Sequence, residues 1–180
     1  MASKLTVREL CQIALFTAVI AAGAQIAIPL PGGVPFTLQV TTISLAGLVL
    51  GPRKGSMATI VYVLLGAAGV PVFAHFTGGI GIVLGPTGGF ILSFPLLALV
   101  AGLGEQTGKL YWTYAGLATG TAVNLLVGML YFSLVLGTSL AAAFAVTVAP
   151  FIPTSAIMII LLPLLGRGIK ATLVAARVGL

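Results

Sequence analysis

Long apolar segments alternate with short polar or glycine-containing connections along the whole chain. A helix that crosses about 30 Å of hydrocarbon needs roughly 17 to 25 predominantly apolar residues. Six segments follow this pattern, although the second and third are short. They lie at about Leu10 to Ile28, Thr37 to Leu50, Ser56 to Gly69, Gly88 to Gly104, Thr113 to Leu136 and Leu140 to Leu165. The pattern predicts an all-α integral membrane protein with six transmembrane helices in a single domain, residues 1–180.

Composition and missing motifs narrow the class of protein. Hydrophobic residues make up 59% of the 180 positions and charged residues 6%, so a water-soluble domain is excluded. Glu9 and Glu105 are the only acidic residues, and both are predicted near a membrane surface, where they cannot carry ions through the bilayer core. The sequence has no Walker-type phosphate loop, and its one histidine and one cysteine make no metal or nucleophile cluster. We expect neither an enzyme nor a cofactor.

The basic residues indicate how the chain is oriented in the membrane. Cytoplasmic loops of membrane proteins collect Lys and Arg, and the opposite loops do not. All eight basic residues fall at segment ends on one predicted side: Lys4, Arg8, Arg53, Lys54, Lys109, Arg167, Lys170 and Arg177. We therefore expect a multi-pass protein of the inner (plasma) membrane with both termini in the cytoplasm. The net charge of +6 reflects this orientation and does not indicate nucleic-acid binding.

A glycine-rich stretch at 70–90, VPVFAHFTGGIGIVLGPTGGF, lies on the side that carries no basic residues. Irregular backbone at membrane depth usually lines a cavity. Pro86 fixes a turn before Thr87 and Gly88 open the next helix, whose free N–H groups could hold an anionic group. The alternative is that the glycines only let helices pack closely. A second candidate region at 29–39 is predicted on the same side.

Three phrases of the sequence resemble the BioY family: GVPFTLQ at 33–39, GVPVFA at 69–74 and GGIGIVLGPTGGF at 78–90. The resemblance extends from the first predicted segment to the last. It implies the biotin-specific S component of an energy-coupling factor (ECF) transporter, with six helices and both termini in the cytoplasm. Such a component hands its vitamin to a membrane-embedded T component that is driven by two ATPase subunits. The alternatives are an S-component-like protein for another small vitamin or precursor, or a solitary facilitator.

Biotin combines compact rings, a polar ureido group and a chain that ends in a carboxylate, so its pocket should be mostly apolar with a few polar contacts. The candidate ligand-binding residues are Phe36, Thr37, Gln39, Phe73, Thr77, Gly85, Pro86, Thr87, Gly88, Phe90, Asn124, Tyr131 and Ser155. Asn124 is the only asparagine, and its alternative role is a hydrogen bond between helices. His75, the only histidine, is either solvated at the outer mouth or able to steer an anion.

Small residues recur on one face of the first predicted helix. Ala14, Ala18 and Ala22 follow a spacing of four residues, which would let a partner helix approach closely. The resemblance implies that this stripe docks on the T component. The alternative is packing inside the bundle.

One motif departs from the family pattern. BioY proteins often carry Pro-Gly-Asp-x-x-Lys at the start of the last helix, with the Asp and Lys at the ligand site. The present sequence reads Pro153, Thr154, Ser155, Ala156, Ile157, Met158, so Ser155 and Met158 replace both charged residues. Biotin would then rely on hydroxyls, helix-end amides or solvent, or the ligand is a related neutral molecule.

Overall fold

The structure is a computed structural model that describes residues 5–30 and 33–175. Lys4, Arg177 and part of the loop at 29–36 lie outside the described residues. The helices are α1 Val7–Gln25, α2 Gln39–Ala67, α3 Ile80–Val83, α4 Gly88–Gln106, α5 Leu110–Leu136, α6 Leu140–Thr147 and α7 Ile152–Ala175. The short elements are strands β1 Ala27–Ile28 and β2 Phe36–Thr37, which pair antiparallel, and the 3-10 helices Ala74–Phe76 and Ala149–Phe151.

Helix α1 begins earlier than the hydrophobic pattern predicts, because polar residues cap it. The Thr6 Oγ1 accepts a hydrogen bond from the backbone N–H of Glu9, and the Glu9 carboxylate accepts one from the Thr6 N–H. This reciprocal arrangement satisfies two N–H groups that the first turn of a helix leaves unpaired. The helix therefore starts at Val7, and the apolar run continues it to Gln25.

Element α2 is a helical hairpin and not one straight helix. Gly51 has φ 81° and ψ 175°, a conformation that glycine adopts far more readily than other residues, and Pro52 follows it. A Cβ placed on Gly55 would lie 2.7 Å from the carbonyl oxygen of Ala46, so the chain has folded back on itself. The two arms, 39–50 and 52–67, correspond to the second and third predicted segments.

The predicted fold class is confirmed. Five of the described helical stretches are long and apolar enough to cross a membrane, and the hairpin within one of them gives six segments in all. The last predicted segment is interrupted, however, between α6 and α7. Pro150 has no N–H for a helical ladder, and the chain forms a 3-10 turn there before α7 begins at Ile152.

The bundle interior is built around α2 and α4, with α1 on one side and α5 and α7 on the other. Its largest buried cluster includes Ile20, Ile43, Tyr62, Phe73 and Leu97. The outward faces carry large apolar side chains, as the 81% exposed Leu134 illustrates. Lipid is the medium in which such a surface is stable.

Polar side chains join the helices at one end of the bundle. The Thr113 hydroxyl donates to a Glu105 carboxylate oxygen at 2.7 Å, and the same oxygen lies 3.3 Å from Arg167 Nε. These contacts tie α4, α5 and α7 together. Nearer α1, the Lys54 ammonium donates to the side-chain oxygen of Gln12. These three charged or polar connections gather at the end where the sequence places its basic residues.

Candidate functional site

A cavity of about 240 Å³ lies at the opposite end of the bundle, and we call it the main cavity. Its walls come from the beginnings of the first arm of α2, of α4 and of α7, together with the middle of α5. The 33–37 segment and the 73–77 segment complete it. The lining is mostly apolar, with a small number of hydroxyl and amide groups, as in sites that bind small organic ligands.

The structure brings most of the predicted ligand-binding residues together. Phe36, Thr37, Gln39, Phe73, Thr77, Thr87, Phe90, Asn124 and Ser155 all line the main cavity. These residues come from five separate parts of the chain, so their convergence is a property of the fold. Contact with a ligand remains a prediction for each of them.

Gly85, Pro86, Gly88 and Tyr131 are not among the residues that line the main cavity. A Cβ on Gly88 would lie 1.9 Å from the carbonyl oxygen of Val83, so this glycine permits close packing of α3 on α4. The Tyr131 ring packs over the same glycine, and its hydroxyl donates to the carbonyl of Leu84 at 3.4 Å. Gly88 therefore follows the packing alternative in the structure, and ligand contact by these four residues stays a prediction.

A chain of hydrogen bonds fixes the polar wall formed by α2. The Thr37 hydroxyl donates to the Gln39 side-chain oxygen at 2.9 Å, and the Gln39 amide nitrogen donates to the Tyr62 hydroxyl. Tyr62 in turn donates to the carbonyl of Val72 at 3.2 Å. Both polar ends of the Gln39 side chain are therefore held by the protein. This network joins the two arms of the hairpin to Val72, next to the 73–77 segment that lines the main cavity.

Asn124 forms the hydrogen bond between helices that was the alternative to ligand contact. Its Nδ2 donates to the carbonyl of Phe90 at 3.0 Å and to the Ser93 hydroxyl at 2.7 Å, which joins α5 to α4. The same side chain lines the main cavity. Its Oδ1 accepts no hydrogen bond from any described residue. Asn124 can thus serve both purposes with different atoms.

Two residues that sequence reasoning missed shape the site. Thr121 is buried in the cavity wall, one helical turn before Asn124. Gln25, the last residue of α1, donates from Nε2 to the carbonyls of Val72 and Phe73, both at 3.2 Å. Its Oε1 accepts the backbone N–H of Phe76 at 2.9 Å. Spacing relative to Asn124 could have indicated Thr121, and a lone polar residue at the end of an apolar helix could have indicated Gln25.

The hydrogen bonds of the Gln25 side chain hold a strained turn in place. His75 and Phe76 have φ values of 57° and 53°, in the left-handed region that residues other than glycine rarely adopt. Such strain persists only where surrounding contacts enforce it, and it is frequent at functional sites. His75 is solvent-exposed and lines the main cavity, where it is the only ionisable side chain among the described lining residues.

The two positions that depart from the family pattern face the main cavity. Ser155 and Met158 lie three residues apart near the start of α7, and both belong to the lining. The replacement of charged residues at these positions therefore changes the chemistry of the cavity itself. A hydroxyl and a thioether stand there.

The small residues of α1 face away from the bundle. Ala14, Ala18 and Ala22 are all exposed, whereas Thr17 and Ile20 on the other side of the helix are buried. The Thr17 hydroxyl donates to the carbonyl of Ala58 at 3.0 Å, which fixes that side against α2. Packing inside the bundle therefore does not account for the stripe.

Comparisons with known proteins agree with these features. The BioY family model matches residues 1–175. A probable biotin transporter BioY from Pyrococcus horikoshii is 45% identical over 145 residues, 81% of this chain and 85% of that protein. The biotin transporter BioY of Rhodobacter capsulatus is 38% identical over 179 residues, 90% of this chain and 93% of that protein.

A solved structure matches the whole fold. The crystal structure of the S-component for biotin from an ECF-type ABC transporter superposes with a TM-score of 0.84 and 25% sequence identity. The match covers 95% of each chain. The resemblance first seen in three short phrases extends over nearly the whole sequence and is confirmed. The chain belongs to the BioY family.

Proposed function

We propose that this protein captures biotin at the membrane and is the S component of an ECF-type ABC transporter. The observation that carries the proposal is the main cavity, whose walls contain parts of all three family phrases. Membership of a family whose relatives are named biotin transporters supports the choice of ligand. A solved S component for biotin with the same fold supports the choice of transporter class.

The cavity chemistry suits the rings of biotin. Phe36, Phe73 and Phe90 line it with aromatic carbon. The ring centroids of Phe36 and Phe151, which also lines the cavity, are 6.4 Å apart. Apolar walls favour the burial of the fused rings, because transfer of their carbon surface out of water is favourable. The hydroxyl and amide groups of the lining can then pair with the ureido atoms.

Among the described residues that line the main cavity, none carries a fixed positive charge that could pair with the carboxylate of biotin. The Ser155 hydroxyl and the His75 imidazole are two groups of the lining that can donate hydrogen bonds to it. A second candidate function follows from the same observation. Because Ser155 and Met158 are neutral, a small vitamin or precursor without a carboxylate would also fit this lining.

Uptake requires energy that the chain cannot supply by itself, since its sequence has no nucleotide-binding loop. We therefore assign it a T component and two ATPase subunits as partners, and no catalytic activity of its own. The exposed stripe Ala14, Ala18 and Ala22 is the proposed docking surface. The inner (plasma) membrane, with both termini in the cytoplasm, is the proposed location.

An equilibrium titration of the detergent-solubilised protein tests the proposal. Biotin and biotin carboxamide, in which a neutral amide replaces the carboxylate, are titrated in parallel. Saturable binding in the nanomolar range that is tighter for biotin supports biotin capture. Tighter binding of the carboxamide supports a neutral ligand. Failure of both to bind, with uptake that never saturates, would favour a passive facilitator and contradict the proposal.

A further inference from the structure

Helix α5 presents two buried polar side chains to the main cavity. Thr121 and Asn124 are 3% and 1% exposed, and both belong to the cavity lining. Residues three apart in a helix lie on adjacent turns of the same face. The two side chains therefore form one polar patch in an otherwise apolar wall.

The hydroxyl of Thr121 has no hydrogen-bond partner among the described residues. Buried threonines in membrane helices usually donate to the carbonyl four residues earlier, as Thr59 and Thr147 do here at 2.9 and 2.8 Å. An unpaired buried hydroxyl is unfavourable, so each such group needs an explanation. Thr121 belongs to the lining of the main cavity, so a ligand held there could supply the missing partner.

The orientation of the Asn124 amide leaves an acceptor for the same partner. A backbone carbonyl can only accept, so the hydrogen bond to the carbonyl of Phe90 identifies the Asn124 atom that faces α4 as Nδ2. The second hydrogen bond, to Ser93, holds the amide from the same side. Oδ1 is consequently the free atom of this side chain and can accept from a ligand in the cavity.

We propose that Thr121 and Asn124 form the subsite for the cyclic urea of the ligand. A urea carries a carbonyl oxygen beside an N–H group, which is the complement of one donor beside one acceptor. The Thr121 hydroxyl donates to the ureido oxygen, and the Asn124 Oδ1 accepts from the neighbouring ureido N–H. This assignment rests on the proposed function, and it makes Thr121 a specificity-determining residue.

The variant Thr121→Val tests the subsite, because it removes the hydroxyl and keeps the shape of the side chain. The Kd for biotin is expected to rise roughly tenfold, since the ureido oxygen then lacks its donor in a mostly apolar site. The melting temperature of the ligand-free protein should stay the same or rise, because an unpaired buried hydroxyl is gone. Thr121→Ser should restore binding to within about threefold of the original.

A change of ligand and a matched variant isolate the hydrogen bond. In 2-thiobiotin a sulfur replaces the ureido oxygen and accepts hydrogen bonds weakly, so Thr121→Val should change its Kd by less than about twofold. Ser44 is the matched control, because its hydroxyl is also buried and unpaired among the described residues but lies outside the cavity lining. Ser44→Ala should leave the Kd for biotin unchanged.

The outcomes separate the subsite from the proposed function. If the original protein does not bind biotin, the proposed function is wrong and the urea subsite goes with it. If the protein binds biotin and Thr121→Val binds it equally well, the subsite alone is wrong. Equal losses for biotin and 2-thiobiotin, or a melting temperature that falls together with affinity, would mean that Thr121 acts through shape or packing.

Discussion

Single side chains determine the chemistry of the main cavity. Asn124 holds α4 with one end of its amide and also lines the main cavity, so one residue could fill two roles that the sequence presents as alternatives. Ser155 and Met158 stand at the two positions where the family pattern described above has charged residues, and both line the main cavity. The ligand preference of this protein should therefore respond to changes at very few positions.

Restoring the charged pair of the family pattern should tighten biotin binding. We expect the double variant Ser155→Asp, Met158→Lys to lower the Kd for biotin by about 10- to 100-fold, because charge-assisted hydrogen bonds contribute roughly 1.5–3 kcal/mol. Ser155→Asp alone should weaken binding, because it leaves a carboxylate without its cation beside an anionic ligand. Isothermal titration of the two variants measures both Kd values. A double variant that binds biotin no better than the original protein would contradict the prediction that positions 155 and 158 contact the ligand.

At the scale of elements, α1 has two faces with different tasks. Its buried face, which includes Ile13, Thr17 and Ile20, packs on the bundle. Its exposed face presents Ala14, Ala18 and Ala22 to the membrane. Small side chains at such spacing permit close approach of a second helix, and in lipid this contact is stabilised by van der Waals packing.

Bulky residues on the exposed stripe should block assembly without affecting capture. We expect Ala18→Leu to lower partner-dependent uptake of biotin at least about tenfold, since one added branched side chain can separate two closely packed helices. The Kd of the isolated protein for biotin should not change. Ala118→Leu is the matched control, because Ala118 is an exposed alanine on α5. If both variants reduce uptake equally, or if Ala18→Leu weakens biotin binding, the stripe is not the docking surface.

The sequence predicts the helical elements better than their contacts. Hydrophobic length predicts the segments, and the glycine and proline at 51–52 separate the two arms of α2 in both sequence and structure. The sequence does not distinguish glycines that line a cavity from glycines that allow close packing, because both positions need a residue without a side chain. Gly88 and Tyr131 illustrate this limit, and Thr121 shows the reverse, a cavity-lining residue that the hydrophobic pattern does not single out.

At the scale of the whole molecule, polarity is divided between two ends. The cluster of Glu105, Thr113 and Arg167 lies at one end, and the main cavity lies at the other. The positive-inside rule assigns the first end to the cytoplasm and hence the cavity to the exterior. A ligand would then enter from outside the cell and reach the cavity without crossing the basic end.

Site-specific labelling can test this orientation. In a Cys11→Ser background, which removes the single cysteine, Lys109→Cys and Leu140→Cys place one thiol at an exposed position near each end of α5. In intact cells a membrane-impermeant maleimide should label Leu140→Cys, whereas Lys109→Cys should react only after the membrane is permeabilised. The opposite pattern would reverse the topology, and it would move the cavity to the cytoplasmic side.

Gln25 belongs to both functional surfaces of the molecule. It terminates the helix that carries the proposed docking stripe, and its amide holds the strained segment beside the cavity by contacts to Val72, Phe73 and Phe76. A displacement of α1 by a partner would therefore also move the 73–77 segment that lines the main cavity. Thermodynamic linkage makes such coupling reciprocal: if docking lowers the affinity for the vitamin by some factor, the bound vitamin lowers the affinity for the partner by the same factor. Through the Gln25 amide, the protein with bound vitamin and the protein without it would then bind their transport partner with different affinities.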